Sequence, residues 1–348
     1  MKKILTTLCA VAMLAGCTAG GSKKSSTNTS TKEETAATVM VGTGSVTNVS
    51  NKTKEGSDTA AQFDTTFASV VLEGNVIKYV YFDVAQDKVT YDATGHVTSD
   101  NTASTSKKAL GDKYGMKDKS SIKKEWYEQV EALEKWAVGK TVEEVLNMPT
   151  TQKDEKHTVS ADKDLMTGCT IGVTAFQQAL DKAAKNAVEV KDVASVGSAI
   201  LTQVSGKDAS AEKSGEAKAS STYGVVALDK DGKVVFTQTD VAQNAVKFTT
   251  AGVVDGEAVA VATKGEKKDE YGMKKVSSIG KEWFEQNQAY DDWTVGKTGK
   301  EIAGMEVTTN EGGKTVTADK DLMTGCTIGV DSLQKVTTTA IEAATKLN

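Results

Sequence analysis

The sequence has 348 residues, enough for two or three domains, and a net charge of −5. It contains no large basic block, which argues against a nucleic acid as partner. Its positive side chains are all lysines, so no bidentate arginine clamp for phosphate is present. A single proline and only 5% aromatic residues predict a polar protein with modest cores.

The N-terminus has the features of an export signal. Lys2 and Lys3 precede an apolar stretch, residues 4–14, that is too short to span a bilayer as a mature helix. The sequence Leu-Ala-Gly-Cys at 14–17 resembles a bacterial lipobox, in which the cysteine is acylated and cleavage falls just before it. We therefore predict a lipoprotein signal peptide at 1–16 and a lipid anchor on Cys17. This places the protein on the extracellular face of the cytoplasmic membrane. An ordinary secretory signal with a chance cysteine is the alternative.

The end of this signal allows a second use. The octapeptide Cys-Ala-Val-Ala-Met-Leu-Ala-Gly at 9–16 is similar to the short apolar pheromones released from lipoprotein signals in some Gram-positive bacteria. Because every lipoprotein signal is apolar in this region, the similarity supports a pheromone source only as an alternative.

A polar segment follows the predicted lipid anchor. Residues 17–58 are rich in Thr, Ser, Lys, Glu, Asn and Gly, and such a composition cannot bury enough apolar surface to order itself. We predict that this segment is a flexible tether that holds the folded part away from the membrane.

Most of the remaining chain is a tandem repeat with an offset of 157 residues. Tyr-Gly-Met-Lys at 114–117 returns at 271–274, and Lys-Glu-Trp at 124–126 returns at 281–283. The decapeptide Asp-Leu-Met-Thr-Gly-Cys-Thr-Ile-Gly-Val occurs at 164–173 and, unchanged, at 321–330. These matches predict two domains with one fold, at 59–203 and 222–348, separated by a polar linker at 204–221.

The order of elements is the same in both repeats. β-branched runs such as 76–81 and 233–236 come first and predict strands. Helical patterns follow, with capping boxes at 141–144 and 298–301 and with Thr174 and Asp331 as N-caps of a later helix. Strands followed by helices predict an α+β fold.

Several chemistries are disfavoured by what the repeats do not share. The two histidines, His96 and His157, have Val253 and Lys314 as counterparts, so a chemistry performed twice cannot depend on them. This argues against catalytic triads and histidine-ligated metals, and we assign no catalytic residue and no metal site. The sequence Val-Gly-Lys-Thr, at 138–141 and 295–298, lacks the first glycine of a phosphate loop. The repeated pairs Glu125/Glu282 and Glu128/Glu285 are interpreted as a solvated helix face.

The decapeptide is the strongest candidate for a functional site. It places two hydroxyls, Thr167 and Thr170, around Gly168, and a helix is predicted to begin a few residues later. Hydroxyls, free backbone N–H groups and a helix N-terminus together could bind an anion. A structural turn capped by Asp164 remains the alternative. Cys169 is interpreted as a small, buried thiol rather than one half of a disulfide.

The pattern Asp-x-x-Thr-Gly-x-Thr resembles the flavinylation motif of the FMN-binding domain family. In that family the last threonine carries FMN through a phosphoester bond, and a separate flavin transferase installs it from FAD. The resemblance therefore implies two covalent FMN groups, on Thr170 and Thr327. The other motif positions are Asp164, Thr167, Gly168 and Cys169 in the first copy and Asp321, Thr324, Gly325 and Cys326 in the second. Alanine is usual in the family where this chain has cysteine, which is a mild departure.

The lipobox, the tether and both repeats together resemble the lipoproteins with two FMN-binding domains that serve flavin-based extracellular electron transfer in Gram-positive bacteria. This resemblance implies an electron carrier rather than a substrate-specific enzyme. Electrons would come from a membrane quinol-linked partner and leave to an extracellular acceptor such as ferric iron or free flavin. A structural or binding lipoprotein without a cofactor is the alternative.

Aromatic residues near the repeated motifs could form the flavin pocket. Trp126 and Trp136 are interpreted as core residues. Tyr114 and Met116 lie on either side of a glycine, which favours the edge of a pocket, and their counterparts are Tyr271 and Met273.

Overall fold

The computed structural model describes residues 38–53, 58–101 and 103–347. The predicted signal peptide, Cys17 and the tether up to residue 37 lie outside the described residues. Within the described ranges, no helix is both long enough and apolar enough to cross a membrane.

The two repeats contain nearly the same elements in the same order. The first consists of β1 (Val39–Lys52), β2 (Thr59–Glu73), β3 (Val76–Tyr91), β4 (Ala103–Ser104), α1 (Lys107–Leu110), a 3-10 turn (Gly111–Tyr114), α2 (Trp126–Ala137), α3 (Val142–Leu146), β5 (Thr150–Gln152), β6 (Thr158–Ser160), α4 (Lys163–Met166), α5 (Thr174–Lys185) and β7 (Val188–Val190). The second consists of β8 (Ser195–Lys207), β9 (Gly215–Leu228), β10 (Val234–Phe248), α6 (Lys264–Lys267), a 3-10 turn (Lys268–Tyr271), α7 (Trp283–Thr294), α8 (Gly299–Ala303), β11 (Val307–Thr309), β12 (Thr315–Thr317), α9 (Lys320–Met323), α10 (Asp331–Glu342) and β13 (Thr345–Lys346).

Each repeat is built on an antiparallel meander of three long strands. The strand order is β3-β2-β1-β7 in the first sheet and β10-β9-β8-β13 in the second. The short strand β4 of the first repeat pairs with β8 of the second, so it extends the other repeat's sheet. Helices together with antiparallel sheets confirm the α+β class that the sequence predicts.

The first strand of the first repeat lies in the segment predicted as a tether. Residues 39–52 form β1, and residues 40–52 pair with β2. Gly42 and Gly44 let helix α5 approach closely, because a Cβ on Gly44 would lie 2.5 Å from the backbone nitrogen of Ala183. A segment rich in Thr, Ser and Gly is ordered here by a helix more than 130 positions away in sequence.

The segment predicted as a linker, 204–221, also belongs to the sheet. Its two ends lie in β8 and β9, which pair from Ser195 to Lys207, with Val204 opposite Ala219. The repeats instead meet in sequence at 191–194, between β7 and β8, so the elements of the two repeats span 39–190 and 195–347. The boundary between the repeats differs from the predicted linker because the polar residues at the ends of β8 and β9 have the composition of a loop.

The two repeats share a hydrophobic core. Tyr91 and Phe248, which are equivalent positions under the offset, are both fully buried and stack with ring centroids 3.8 Å apart. Phe67 packs against Tyr223 with a centroid distance of 5.0 Å. A stack of equivalent residues places a local two-fold relation at this contact, and the described residues form one compact unit.

The helices cover the outer part of each meander. Helix α5 packs on β1 and β2, α10 packs on β8 and β9, and α2 and α7 pack on β3 and β10. The predicted capping boxes of α3 and α8, formed by Thr141 with Glu144 and by Thr298 with Glu301, are confirmed. Helices α5 and α10 begin at Thr174 and Asp331 themselves, so the N-caps are Val173 and Val330, one residue earlier than predicted.

Candidate functional site

The decapeptide forms a short helix followed by a tight turn. Helix α4 is capped by Asp162, whose Oδ1 accepts hydrogen bonds from the backbone of Asp164 and Leu165 at 3.1 and 3.0 Å. Asp164 itself is exposed, so the cap is two residues earlier than the structural-turn interpretation placed it. The second copy is capped by Asp319 in the same way.

The backbone N–H groups of this turn already have acceptors within the protein. The N–H groups of Gly168 and Cys169 donate to the carbonyl oxygen of Leu165 at 2.9 and 2.8 Å. The N–H of Thr170 donates to the side chain of Gln129 at 2.9 Å. The free N–H groups that the sequence suggested for anion binding are therefore not available in this turn.

Gln129, on helix α2, is the centre of the site. Its Oε1 accepts from both the backbone N–H and the hydroxyl of Thr170, at 2.9 and 3.1 Å. Its Nε2 donates to the hydroxyl of Ser120 and to the carbonyl oxygen of Lys124, both at 3.1 Å, and lies 3.5 Å from the sulfur of Met116. Gln129 is fully buried, whereas Thr170 is half-buried.

The second repeat reproduces this network around Gln286. Its Oε1 accepts from the N–H and hydroxyl of Thr327 at 2.8 and 3.0 Å. Its Nε2 donates to Ser277 at 3.1 Å and to the carbonyl oxygen of Lys281 at 3.0 Å, and lies 3.6 Å from the sulfur of Met273. The polar contacts of Gln129 and Gln286 thus agree to within about 0.1 Å.

The two motif glycines allow the turn to lie against helices α2 and α7. A Cβ on Gly168 would lie 2.7 Å from the Cβ of Ala132 and 3.8 Å from the Nζ of Lys124. The corresponding distances from Gly325 are 2.8 Å to Ala289 and 3.9 Å to Lys281. Lys124 and Lys281 are thus cationic groups that could balance a nearby phosphate. In the first repeat Lys153 also donates to the carbonyl oxygen of Thr170 at 3.1 Å, and its counterpart in the second repeat is Asn310.

The motif cysteines are buried and free. Cys169 is 1% exposed, Cys326 is 0% exposed, and neither forms a disulfide. Burial raises the pKa of both thiols to about 11, which keeps them protonated near neutral pH. The interpretation of these residues as small, buried thiols is confirmed.

A wall of larger side chains lies next to the threonine. Tyr114 and Met116 are half-buried, and Tyr114 packs on Trp126 with a centroid distance of 6.3 Å. The ammonium of Lys107 lies 5.1 Å from the Tyr114 ring centroid and 5.5 Å from that of Trp126. Gln129 contacts the sulfur of Met116 and the backbone and hydroxyl of Thr170, so it connects one of the predicted pocket residues with the predicted attachment residue.

The equivalent wall of the second repeat has the same geometry. Tyr271 packs on Trp283 at 6.4 Å, and Lys264 lies 5.5 Å from each ring centroid. Burial, with a further contribution from the charge of Lys314, lowers the pKa of Lys264 to about 8. The tryptophans of both walls, Trp126 and Trp283, belong to the hydrophobic cores, as predicted.

A groove of about 460 Å³ borders the first motif. Most of its lining comes from helix α2, including half-buried Trp136, and from the decapeptide, including Thr167 and Gly168. Thr170 does not line it. The two motif hydroxyls therefore face different surroundings: Thr167 borders the groove, and Thr170 lies beside Gln129.

Three features of the site were missed or misread in the sequence. Gln129 and Gln286 fall at the same position of the repeated helix and could have been recognised from the offset. Lys107 and Lys264 could have been recognised in the same way. Glu125 and Glu282 are not solvated: they are 4% and 3% exposed. Each is the N-cap of its helix and accepts two backbone N–H groups of the preceding loop, those of Met116 and Lys117 in the first repeat.

Comparisons of this chain with protein-family models, with curated proteins and with solved structures find no match.

Proposed function

We propose that the protein is a lipid-anchored, cell-surface electron carrier that holds one FMN in each repeat through a phosphoester bond to Thr170 and Thr327. The observation that carries the proposal is the duplicated environment of these two hydroxyls. Each is half-buried and each donates to the side-chain oxygen of a fully buried glutamine. A turn with a purely structural role would not require the same polar contacts around its hydroxyl in both copies.

The side chains around each threonine suit a flavin phosphoester. Lys124 and Lys281 lie beside the two turns and can balance the single negative charge that the phosphoester retains. The half-buried walls formed by Tyr114 and Met116, and by Tyr271 and Met273, offer apolar surface to an aromatic ring system. The backbone N–H groups of the turn are not part of this set, because they already have acceptors.

FMN would supply the ability to accept and release electrons singly or in pairs, and the protein would supply attachment, shielding and orientation. The proposed partners are a flavin transferase that uses FAD, a membrane quinol-linked donor, and an extracellular acceptor such as ferric iron or free flavin. A covalent cofactor suits the outer face of a membrane, where a dissociated one would be lost. The proposed anchor is the lipid on Cys17.

Intact-mass measurement of protein from its native host, followed by peptide mapping, tests the proposal. We expect two FMN-sized additions, one on the peptide with Thr170 and one on the peptide with Thr327. The variant Thr170→Ala should lose the first and keep the second. Thr167→Ala is the matched control, because it removes the neighbouring hydroxyl and should leave both additions in place. Native protein without an addition at either threonine would refute the proposal.

A cofactor-free structural or binding lipoprotein is the second candidate. One observation favours it: the turn is complete in its internal hydrogen bonds without any ligand. Colourless native protein of unmodified mass would support this candidate. The suggested use of the signal peptide as a pheromone concerns residues outside those that the structure describes.

A further inference from the structure

We infer that Gln129 and Gln286 are positioning residues that select Thr170 and Thr327, rather than Thr167 and Thr324, as the hydroxyls that receive flavin. This inference rests on the proposed function. It concerns the step in which the chain becomes a flavoprotein, and it assigns a task to two buried amides that an apolar core would not need.

The orientation of the Gln129 amide follows from its partners. The carbonyl oxygen of Lys124 can only accept a hydrogen bond, so the atom 3.1 Å from it must be the NH₂ group of Gln129. The amide oxygen then faces Thr170. The same reasoning applies to Gln286, whose NH₂ group lies 3.0 Å from the carbonyl oxygen of Lys281. A buried amide with both ends bonded has one stable orientation, because turning it over would leave donors facing donors.

A fixed amide oxygen fixes the threonine hydroxyl. Since the amide oxygen cannot donate, Thr170 must direct its O–H toward Gln129, and the lone pairs of its oxygen are directed elsewhere. The Thr170 N–H donates to the same oxygen, so side chain and backbone are held together. The Thr167 hydroxyl instead donates to the backbone carbonyl of Asp164 at 2.8 Å, within its own exposed helical turn.

This arrangement fits the transfer of FMN from FAD. The bond that forms joins Oγ1 of Thr170 to the phosphorus of the FMN half, and the bond that breaks is the P–O bond of the diphosphate, so AMP leaves. The hydroxyl proton leaves to solvent or to the transferase, because the neutral amide of Gln129 is not a base. The product no longer has an O–H to donate, but the N–H of Thr170 still satisfies the amide oxygen. The site can therefore keep its geometry before and after loading.

The test measures the loading rate of each threonine separately in the full chain, by peptide mass spectrometry after mixing with the transferase and FAD. Gln129→Met retains the length of the side chain but removes its hydrogen bonds. We expect loading of Thr170 to fall about tenfold, the effect of losing one or two well-made hydrogen bonds, while loading of Thr327 is unchanged. Gln286→Met should show the reverse, so each variant carries its own reference site.

A second variant separates positioning from folding. In Gln129→Glu only the protonated side chain can donate to the Lys124 carbonyl and accept from Thr170. The ratio of Thr170 to Thr327 loading should therefore rise as the pH falls, which a structural role would not produce. Alkylation of buried Cys169 reports local unfolding and should stay slow in both variants.

Two results would overturn the inference. One is a loading rate of Thr170 in Gln129→Met that equals the rate in the unsubstituted chain. The other is slow loading that is accompanied by fast alkylation of Cys169 in both variants and shows no pH dependence in Gln129→Glu. If the unsubstituted chain loads neither threonine, both the proposed function and the positioning role fail. If the unsubstituted chain loads both threonines and Gln129→Met loads Thr170 at the same rate, only the positioning role fails.

Discussion

The two repeats keep the same site but support it differently. In the first, the helix behind the site is joined to the sheet by Glu134, which accepts from the N–H of Phe82 at 2.6 Å and pairs with Lys108 at 2.7 Å. In the second, the position of Lys108 is Gly265 and that of Glu134 is Asp291.

The second repeat replaces the ion pair by a network of neutral donors. Asp291 accepts from the N–H and the hydroxyl of Thr239 at 3.0 and 2.7 Å. Asn287 donates to the Thr239 carbonyl oxygen at 2.9 Å. Gly265 cannot be exchanged for lysine without movement, because a Cβ there would lie 2.8 Å from a carboxylate oxygen of Asp240. The support has changed while the hydrogen bonds of Thr170 and Thr327 to their buried glutamines have not, so the shared core does not by itself dictate those hydrogen bonds.

The strongest test of the comparison is to separate the repeats. A chain that ends after residue 190 should show no cooperative unfolding transition by circular dichroism in urea. Its Tyr91 would lose the stacked Phe248, Phe67 would lose Tyr223, and β4 would lose β8. The matched control is the full chain cut only within 191–194, whose halves should remain associated and folded. Cooperative unfolding of the isolated first repeat would show that the two copies are independent domains.

A smaller effect is expected where each first strand meets its helix. A Cβ on Gly42 would contact the carbonyl oxygen of Ala183, and one on Gly197 would contact that of Ala340. These glycines occupy equivalent positions, because the residues before them, Val41 and Val196, pair with equivalent edge strands and both glycines lie against equivalent residues of the covering helix. We expect Gly42→Ala and Gly197→Ala each to lower the free energy of unfolding by about 1–3 kcal/mol, because backbone atoms cannot move aside easily.

Urea unfolding measures this effect. Gly312→Ala, at a position where a Cβ would have only one ordinary contact, is the control and should change little. An unchanged free energy of unfolding in Gly197→Ala would mean that helix α10 does not pack as closely on β8 as described.

The ion pair of the first repeat should give the protein a pH dependence. Burial raises the pKa of Glu134 from 4.5 to about 6, although Lys108 lowers it in part. The folded state then holds this proton more tightly than the unfolded state. The contribution of Glu134 to the free energy of unfolding is complete below about pH 4.5 and is lost as the pH rises through 6. The loss amounts to about 2 kcal/mol. Urea unfolding at pH 4.5 and 7 should show this loss, and in Glu134→Gln the loss should be smaller by about 2 kcal/mol. Burial also raises the pKa of Asp83, Asp240 and Asp291, so an equal loss in that variant would assign the effect to these groups.

The sequence predicted those parts of the fold that depend on local pattern. The offset aligned both copies of the decapeptide, and the capping boxes at 141–144 and 298–301 are confirmed. It misread β1 and the paired ends of β8 and β9, because their burial comes from distant helices and from the other repeat. A polar strand covered by a tertiary partner has the composition of a linker.

The same distinction applies to the site. The motif located the turn, while the assignment of Tyr114 and Met116 to the edge of a flavin pocket stays a prediction. The acceptor of the Thr170 N–H could not be read locally, because Gln129 lies 41 residues earlier. Glu125 looked solvated because a charged N-cap that bonds the preceding loop has the same helical spacing as a surface residue.

The smallest effect is expected at an exposed contact between the repeats. His96 of the first repeat lies 2.9 Å from the carboxylate of Asp208 in the second, and its counterpart Val253 forms no such pair. The hydrogen bond and charge of Asp208 raise the pKa of His96 above its ordinary value of 6.5. Any stabilisation is therefore present below that value and is lost as the pH rises through the raised pKa.

Because the side chains of His96 and Asp208 are both more than half exposed, salt should screen most of this stabilisation. NMR titration should show the His96 pKa falling toward 6.5 in Asp208→Asn. An unchanged His96 pKa in that variant would mean that the pair does not form in solution and that the repeats are joined by their shared core, the β4–β8 pairing and contacts such as Lys182–Glu266.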